Sequence, residues 1–154
     1  MKIGAEAYQE LLTGLLAEGQ TVLTRLGGES MTPAIPDGTT ARIVPPAGEP
    51  LRVGEVVMTR TPHGLLCHRV LRVTGQSVQT WGDVCRAPDA PVAAREVIGR
   101  VAAVRLAGEW QELRPRPRWR MRGRWIKHQL KRLLGIAANR GEAGACAAVP
   151  EQGE

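Results

Sequence analysis

The sequence predicts a mostly β domain with a short helix at each end. Valine-rich runs with period-two alternation recur between Gln20 and Leu106, separated by Gly, Pro and Asp clusters. Phe is absent and Tyr8 is the only tyrosine, so Val, Leu, Ile and Ala must build the core, a set that favours strands. Helical periodicity is confined to the two ends. At 154 residues the chain has room for a single core.

Residues 1–18 form the first element. Leu11, Leu12, Leu15 and Leu16, with Tyr8 one turn before, share one side of a helix, which reads as a cap on the β domain. Glu6 and Glu10 spoil a signal peptide, and no run approaches the roughly 20 apolar residues of a membrane span. Gly19 ends the helix. Gln20–Leu26 is a strand leading into Gly27-Gly28-Glu29-Ser30-Met31-Thr32-Pro33-Ala34-Ile35-Pro36-Asp37-Gly38, whose prolines and closing Asp-Gly forbid a long helix or strand. Thr39–Val44, Glu55–Arg60, Leu65–Val73, Val78–Trp81 and Val97–Leu106 are further strands, in a domain of about seven. Gly99, inside the last of them, marks a bulge or a close backbone contact.

A serine displayed on a glycine turn is a candidate nucleophile when a base stands beside it. Only two serines exist, and Ser77 falls in the hairpin turn Thr74-Gly75-Gln76-Ser77, which leaves Ser30. The three lysines are Lys2, Lys127 and Lys131, so a Ser–Lys dyad within the β domain is excluded. His68, in Cys67-His68-Arg69-Val70, is the candidate general base, a role histidine suits because it takes and returns a proton near neutrality. His63, in the turn Thr61-Pro62-His63-Gly64, reads as a solvated loop residue. An acid would complete a triad, and Asp83 and Asp89 compete for that role in the loop Gly82–Asp89. Asp37 is a turn residue with no assigned chemistry. The Ser30 backbone N–H is the natural first donor to an oxyanion. Three scattered cysteines, Cys67, Cys85 and Cys146, show no zinc or redox spacing, and a Cys67–Cys85 bridge is disfavoured. No metal or cofactor is implied.

Four blocks then stand in order: Ser30-Met31-x-Pro33, Leu51-x-x-Gly54-Glu55-Val56-Val57, His68-Arg69-Val70 and Gly82-Asp83. Together they resemble the catalytic domain of the S24/S26 serine peptidases, the signal peptidase I and LexA-like clan, over roughly residues 19–104. The form resembled is the Ser-His one of endoplasmic-reticulum and archaeal signal peptidases. The resemblance implies a signal-peptidase/LexA-like β domain acting as a serine endopeptidase on a leader or precursor peptide. It assigns Ser30 as nucleophile, His68 as base and Asp83, through the Gly-Asp block, as the acid. It sets Met31 along the substrate groove beside the Ser30 oxyanion donor, against plain core packing. Many bacterial relatives carry a hydroxyl two residues before the nucleophile, where this chain has Gly28.

Charge is concentrated at the other end. Residues 114–132 hold nine Arg and Lys and no acid, so the rest of a chain of net charge +6 sums to about −3. Arg114-Pro115-Arg116-Pro117 cannot be helical, but Trp119–Gly135 can, with Trp119, Ile126, Leu130, Leu133 and Leu134 on one broad face. Residues 107–136 thus form a basic segment and helix, and 137–154 a disordered tail. The basic segment suits the surface of an anionic membrane at residues 114–134, or a helix docked by its Leu face; nucleic acid fits less well. The expected place is the cytoplasm, peripheral at the inner membrane surface. The alternative to an enzyme is a catalytically silent fold of the same type that binds a peptide, with the basic tail on a membrane or nucleic acid.

Overall fold

Alternation along the strands becomes burial in the computed structural model, which describes residues 4–135. β2 (Thr39–Val44) alternates buried and half-buried residues without a break, as a strand with one face in the core must. The other strands are β1 (Val22–Leu26), β3 (Val56–Thr61), β4 (Gly64–Thr74), β5 (Ser77–Trp81), the two-residue β6 (Val92–Ala93), β7 (Val97–Leu106) and β8 (Glu109–Glu112). All eight form one antiparallel sheet in the order β1-β2-β7-β3-β4-β5-β6, with β8 on β7. The fold is mostly β with flanking helices, as the sequence predicts.

β7 is the spine. Arg100 pairs with Val44 of β2 and Val57 of β3, and Ala103 pairs with Arg42 of β2 and Glu112 of β8. One edge of β7 therefore carries β2, and the other carries β3 and then β8. Gly99 bears out both expectations for it. The pairing with β3 shifts register beside it, and a Cβ at Gly99 would stand 2.5 Å from Ile43 Cγ2 and 3.1 Å from the Val44 carbonyl oxygen. β8 continues the sheet beyond residue 106. It was not expected because all four of its residues are exposed, leaving no alternation to read. Its hairpin turn, Ala107-Gly108, has φ of 49° and 83°, the doubly positive geometry of a two-residue turn.

α1 (Ala5–Ala17) packs Leu12 and Leu16 into the main core with Leu26, Ile43, Met58 and Val104. Tyr8 hydrogen-bonds Thr24 of β1. Its C-terminus closes with Gly19 N–H on the Leu16 carbonyl and Gln20 N–H on the Leu15 carbonyl, Gly19 adopting a φ of 83°. The helix is thus a cap on the sheet.

α2 (Arg118–Leu133) follows the proline-rich segment and, of the two alternatives the sequence left open, does not dock by its Leu face. The Trp119, Ile126, Leu130, Leu133 and Leu134 face is exposed. Met121 is buried instead, against Leu71 and Trp81, with Trp125 packed beside it. Among the described residues no helix is long and apolar enough to cross a membrane. The tail expected to be disordered, 137–154, lies outside the described residues.

Candidate active site

β4 delivers His68 into the interior, where the residue is fully buried. Its Nδ1 lies 2.6 Å from Asp89 Oδ2. A carboxylate only accepts, so Nδ1 carries a proton, and in the neutral ring Nε2 then bears the lone pair. That Nε2 is buried and has no hydrogen-bond partner. Among the described residues, nitrogens of Arg42, Arg100 and Arg124 are likewise buried without a partner, but Nε2 of His68 is the one of the four that can accept a proton.

Asp89 is held in turn by β5. Thr80 Oγ1 donates to Asp89 Oδ2 at 2.6 Å, Asp89 N–H donates to the Thr80 carbonyl, and Gln79 Nε2 donates to the Asp89 carbonyl. One carboxylate oxygen thus accepts from both the hydroxyl and the imidazole, which fixes the ring and its tautomer.

The assignment of Asp83 as the acid of His68 is corrected by this geometry. Asp83 is occupied by arginines. Arg69 Nε and Nη2 reach its two oxygens at 2.9 and 3.0 Å, and Arg116 Nη2 reaches Oδ2 at 3.0 Å. The Arg69 and Asp83 side chains are each only 2% exposed. Arg69 uses its remaining nitrogen on the Gly54 carbonyl. The physical reason is charge burial: a guanidinium in the core of a strand needs a carboxylate, and the bidentate fork matches one. Burial pulls the Arg116 guanidinium below its ordinary value, and Asp83 opposes that fall. The Gly-Asp block therefore braces the loop, and the acid six residues later meets the histidine.

Loop 82–85 joins the histidine to the serine turn. Gly82 lies against the imidazole so closely that a Cβ there would stand 2.8 Å from His68 Nε2 and 2.4 Å from Cys85 Sγ. Two residues on, Val84 N–H donates to the Ser30 carbonyl at 3.0 Å. The loop is clamped from outside by α2. Arg124 Nη2 donates to the carbonyls of Gly82 and Cys85, both at 2.8 Å, and its guanidinium lies 3.9 Å above the Trp81 ring. Trp81 Nε1 also donates to the Cys85 carbonyl, and His128 meets the Trp81 ring edge-on. Burial lowers the Arg124 pKa, with Asp83 opposing.

The Ser30 turn is half-buried and rigidly tied. Asp37 Oδ1 accepts from Gly28 N–H at 2.7 Å, and Gly38 N–H donates to the Leu26 carbonyl, so Asp37 braces the turn that carries Ser30. Beside Ser30 is a cavity of about 20 Å³ lined by Gly27, Gly28, Met31, Ile35, Leu66 and Cys67 among others. Met31 is 4% exposed in the core and also lines this cavity. Cys67 is a free thiol, so the disfavoured bridge to Cys85 is not made. Burial pushes its pKa up to about 12, with Arg69 opposing, which makes it a neutral wall and not a nucleophile. His63 sits exposed in the β3–β4 turn, its backbone N–H on Thr61 Oγ1.

No protein-family model, curated protein or solved structure matches the chain. Its chemistry rests on its own geometry. Of the supporting residues, Thr80, Arg116 and Arg124 left no sequence signal. Arg69 did leave one, since a charge among the apolar residues of β4 demands a buried acid, and Asp83 answers it.

Proposed function

We propose that this chain is a serine endopeptidase with Ser30 as nucleophile, His68 as general base and Asp89 as the residue that positions His68. The observation that carries this reading is the buried, unpartnered Nε2 of His68 on a ring whose Nδ1 is held by Asp89. A base needs a proton-accepting nitrogen of defined tautomer; Ser30 Oγ makes no hydrogen bond to Nε2, so the proposed transfer requires the two to close up when a peptide binds.

In the proposed reaction, Ser30 Oγ bonds to the peptide carbonyl carbon as its proton passes to His68 Nε2. The imidazolium is balanced by Asp89. Collapse of the tetrahedral intermediate breaks the C–N bond, and Nε2 returns the proton to the leaving amine. Water then repeats the sequence on the acyl-enzyme, with His68 again as base. The Ser30 N–H is the proposed oxyanion donor. The small cavity beside Ser30 suits a methyl-sized side chain before the scissile bond and excludes a leucine or an aromatic ring. This fits a leader or precursor peptide, the substrate class the resemblance implies, carrying a small residue at that position.

The test is cleavage of a mixed synthetic peptide library by the purified chain, read by mass spectrometry. Ser30→Ala and His68→Ala are expected to abolish cleavage and His63→Ala to leave it unchanged, with alanine or glycine before the cut. Cleavage that persists in Ser30→Ala would sink the proposal. No cleavage by the folded wild type, with retained peptide binding, would favour the non-catalytic module.

A further inference from the structure

We propose that the outer face of α2, together with the arginine-lined cleft beside it, is a docking surface for an anionic lipid bilayer. The inner face of this helix is already committed to the body of the protein through Met121, Arg124, Trp125 and His128. On the opposite side Trp119, Ile126, Leu130 and Leu133 are all exposed, Trp119 by 69% and Leu133 by 82%. At helical spacing these four residues fall in one narrow stripe running the length of the helix. Large apolar side chains gathered in this way on a free surface mark a contact site.

Charge decides the partner. Arg118 and Arg122 lie along one flank of the stripe, and Arg120, Lys127 and Lys131 along the other; all five are exposed, and the helix contains no acid. An apolar centre between two basic margins is the arrangement of a helix lying in the plane of a membrane, with its stripe among the acyl chains and its cations at the phosphates. The cleft beside it adds to this. It encloses about 760 Å³ and is lined by Arg52, Arg72, Arg118 and Arg122 over apolar residues that include Trp125 and Ile126, with no carboxylate in its wall. Guanidiniums above an apolar floor match a lipid phosphate above its chains. A nucleic acid could use the cations and stack a base on Trp119, but would gain nothing from exposed Ile126, Leu130 and Leu133, which offer no aromatic face.

The experiment is co-sedimentation of the full chain with vesicles of phosphatidylcholine alone and of phosphatidylcholine mixed with phosphatidylglycerol. Wild type is expected to pellet with the anionic vesicles and to stay in solution with the neutral ones. Leu130→Glu with Leu133→Glu, and separately Arg118→Glu with Arg122→Glu, are each expected to weaken partitioning roughly 30-fold or more. All four side chains are exposed, so melting temperatures should match wild type. Ser30→Ala should bind like wild type, which keeps this test independent of the proposed chemistry. The proposal is overturned if wild type ignores anionic vesicles, or if either double variant pellets as wild type does. It is equally overturned if the chain binds a single-stranded RNA oligonucleotide in preference to the vesicles.

Discussion

Replacing Asp83 and Asp89 separately by Asn should split stability from activity. At Asp83 the change leaves the same shape but removes the charge that two guanidiniums share. An amide offers one acceptor oxygen where the carboxylate offers two, so Arg69 loses a hydrogen bond and its buried charge loses its partner. With both side chains almost wholly buried, the loss falls in the range for breaking a buried pair, about 3–5 kcal/mol. For a domain of this size that lowers the melting temperature by roughly 6–20 °C. The catalytic geometry of the molecules still folded should be little changed, because His68 does not touch Asp83. At Asp89 the balance reverses. Its carboxylate is a fifth exposed, and Asn can still accept from Thr80, so stability should fall by only about 1–2 kcal/mol. Cleavage should fall between about 10²-fold, if the amide oxygen faces Nδ1, and about 10⁴-fold, if the amide nitrogen does and forces the wrong tautomer. The assay is library cleavage per folded molecule beside thermal melting. An inactive but fully stable Asp83→Asn, with an active Asp89→Asn, would refute the assignment.

Three further changes have defined outcomes. Gly82→Ala would drive a methyl to 2.8 Å from His68 Nε2; because the ring or the loop must shift, cleavage should drop by about 10²-fold or more, measured as library turnover. Arg124→Met removes two hydrogen bonds to the loop carbonyls and the contact over Trp81, and should cost about 2–3 kcal/mol by denaturant unfolding. Cys67, with its pKa raised from 9.0 to about 12, carries roughly a thousandfold less thiolate at pH 8 than an ordinary thiol. Alkylation of its peptide by iodoacetamide, followed by mass spectrometry, should be slow in the native protein, accelerate as pH rises toward 12, and become fast at pH 8 after denaturation.

The strands were legible from their apolar, valine-rich runs: β2 alternates simply, while β3, β4 and β7 bury consecutive residues. β2 and β7 run over the expected residues, and His68 stands on the strand its neighbours predict. β8 was hidden by its exposure, and β6 by its length of two residues. At the site, Ser30 and His68 could be chosen by elimination, since the chain offers so few serines and lysines. The acid could not be chosen in that way. Asp83 and Asp89 share one loop, and what separates them is Arg69, whose guanidinium claims the nearer one. A pattern of types along the chain does not say which of two carboxylates a buried cation will take. α2 eluded the sequence for a related reason. Hydrophobicity allowed the Leu face either to dock or to stay free, and the choice is made by carbonyl acceptors at Gly82 and Cys85 and the face of Trp81, which hold Arg124 on the opposite side.

The central claim, that Ser30 and His68 form a peptidase site, is tested most directly by a mass-spectrometric census of protein N-termini in cells producing this chain. Wild type is to be compared with Ser30→Ala and His68→Ala at matched expression. A set of N-termini preceded by small residues should be present with wild type and lost in both variants. Identical N-termini in all three, with both variants folded, would contradict it.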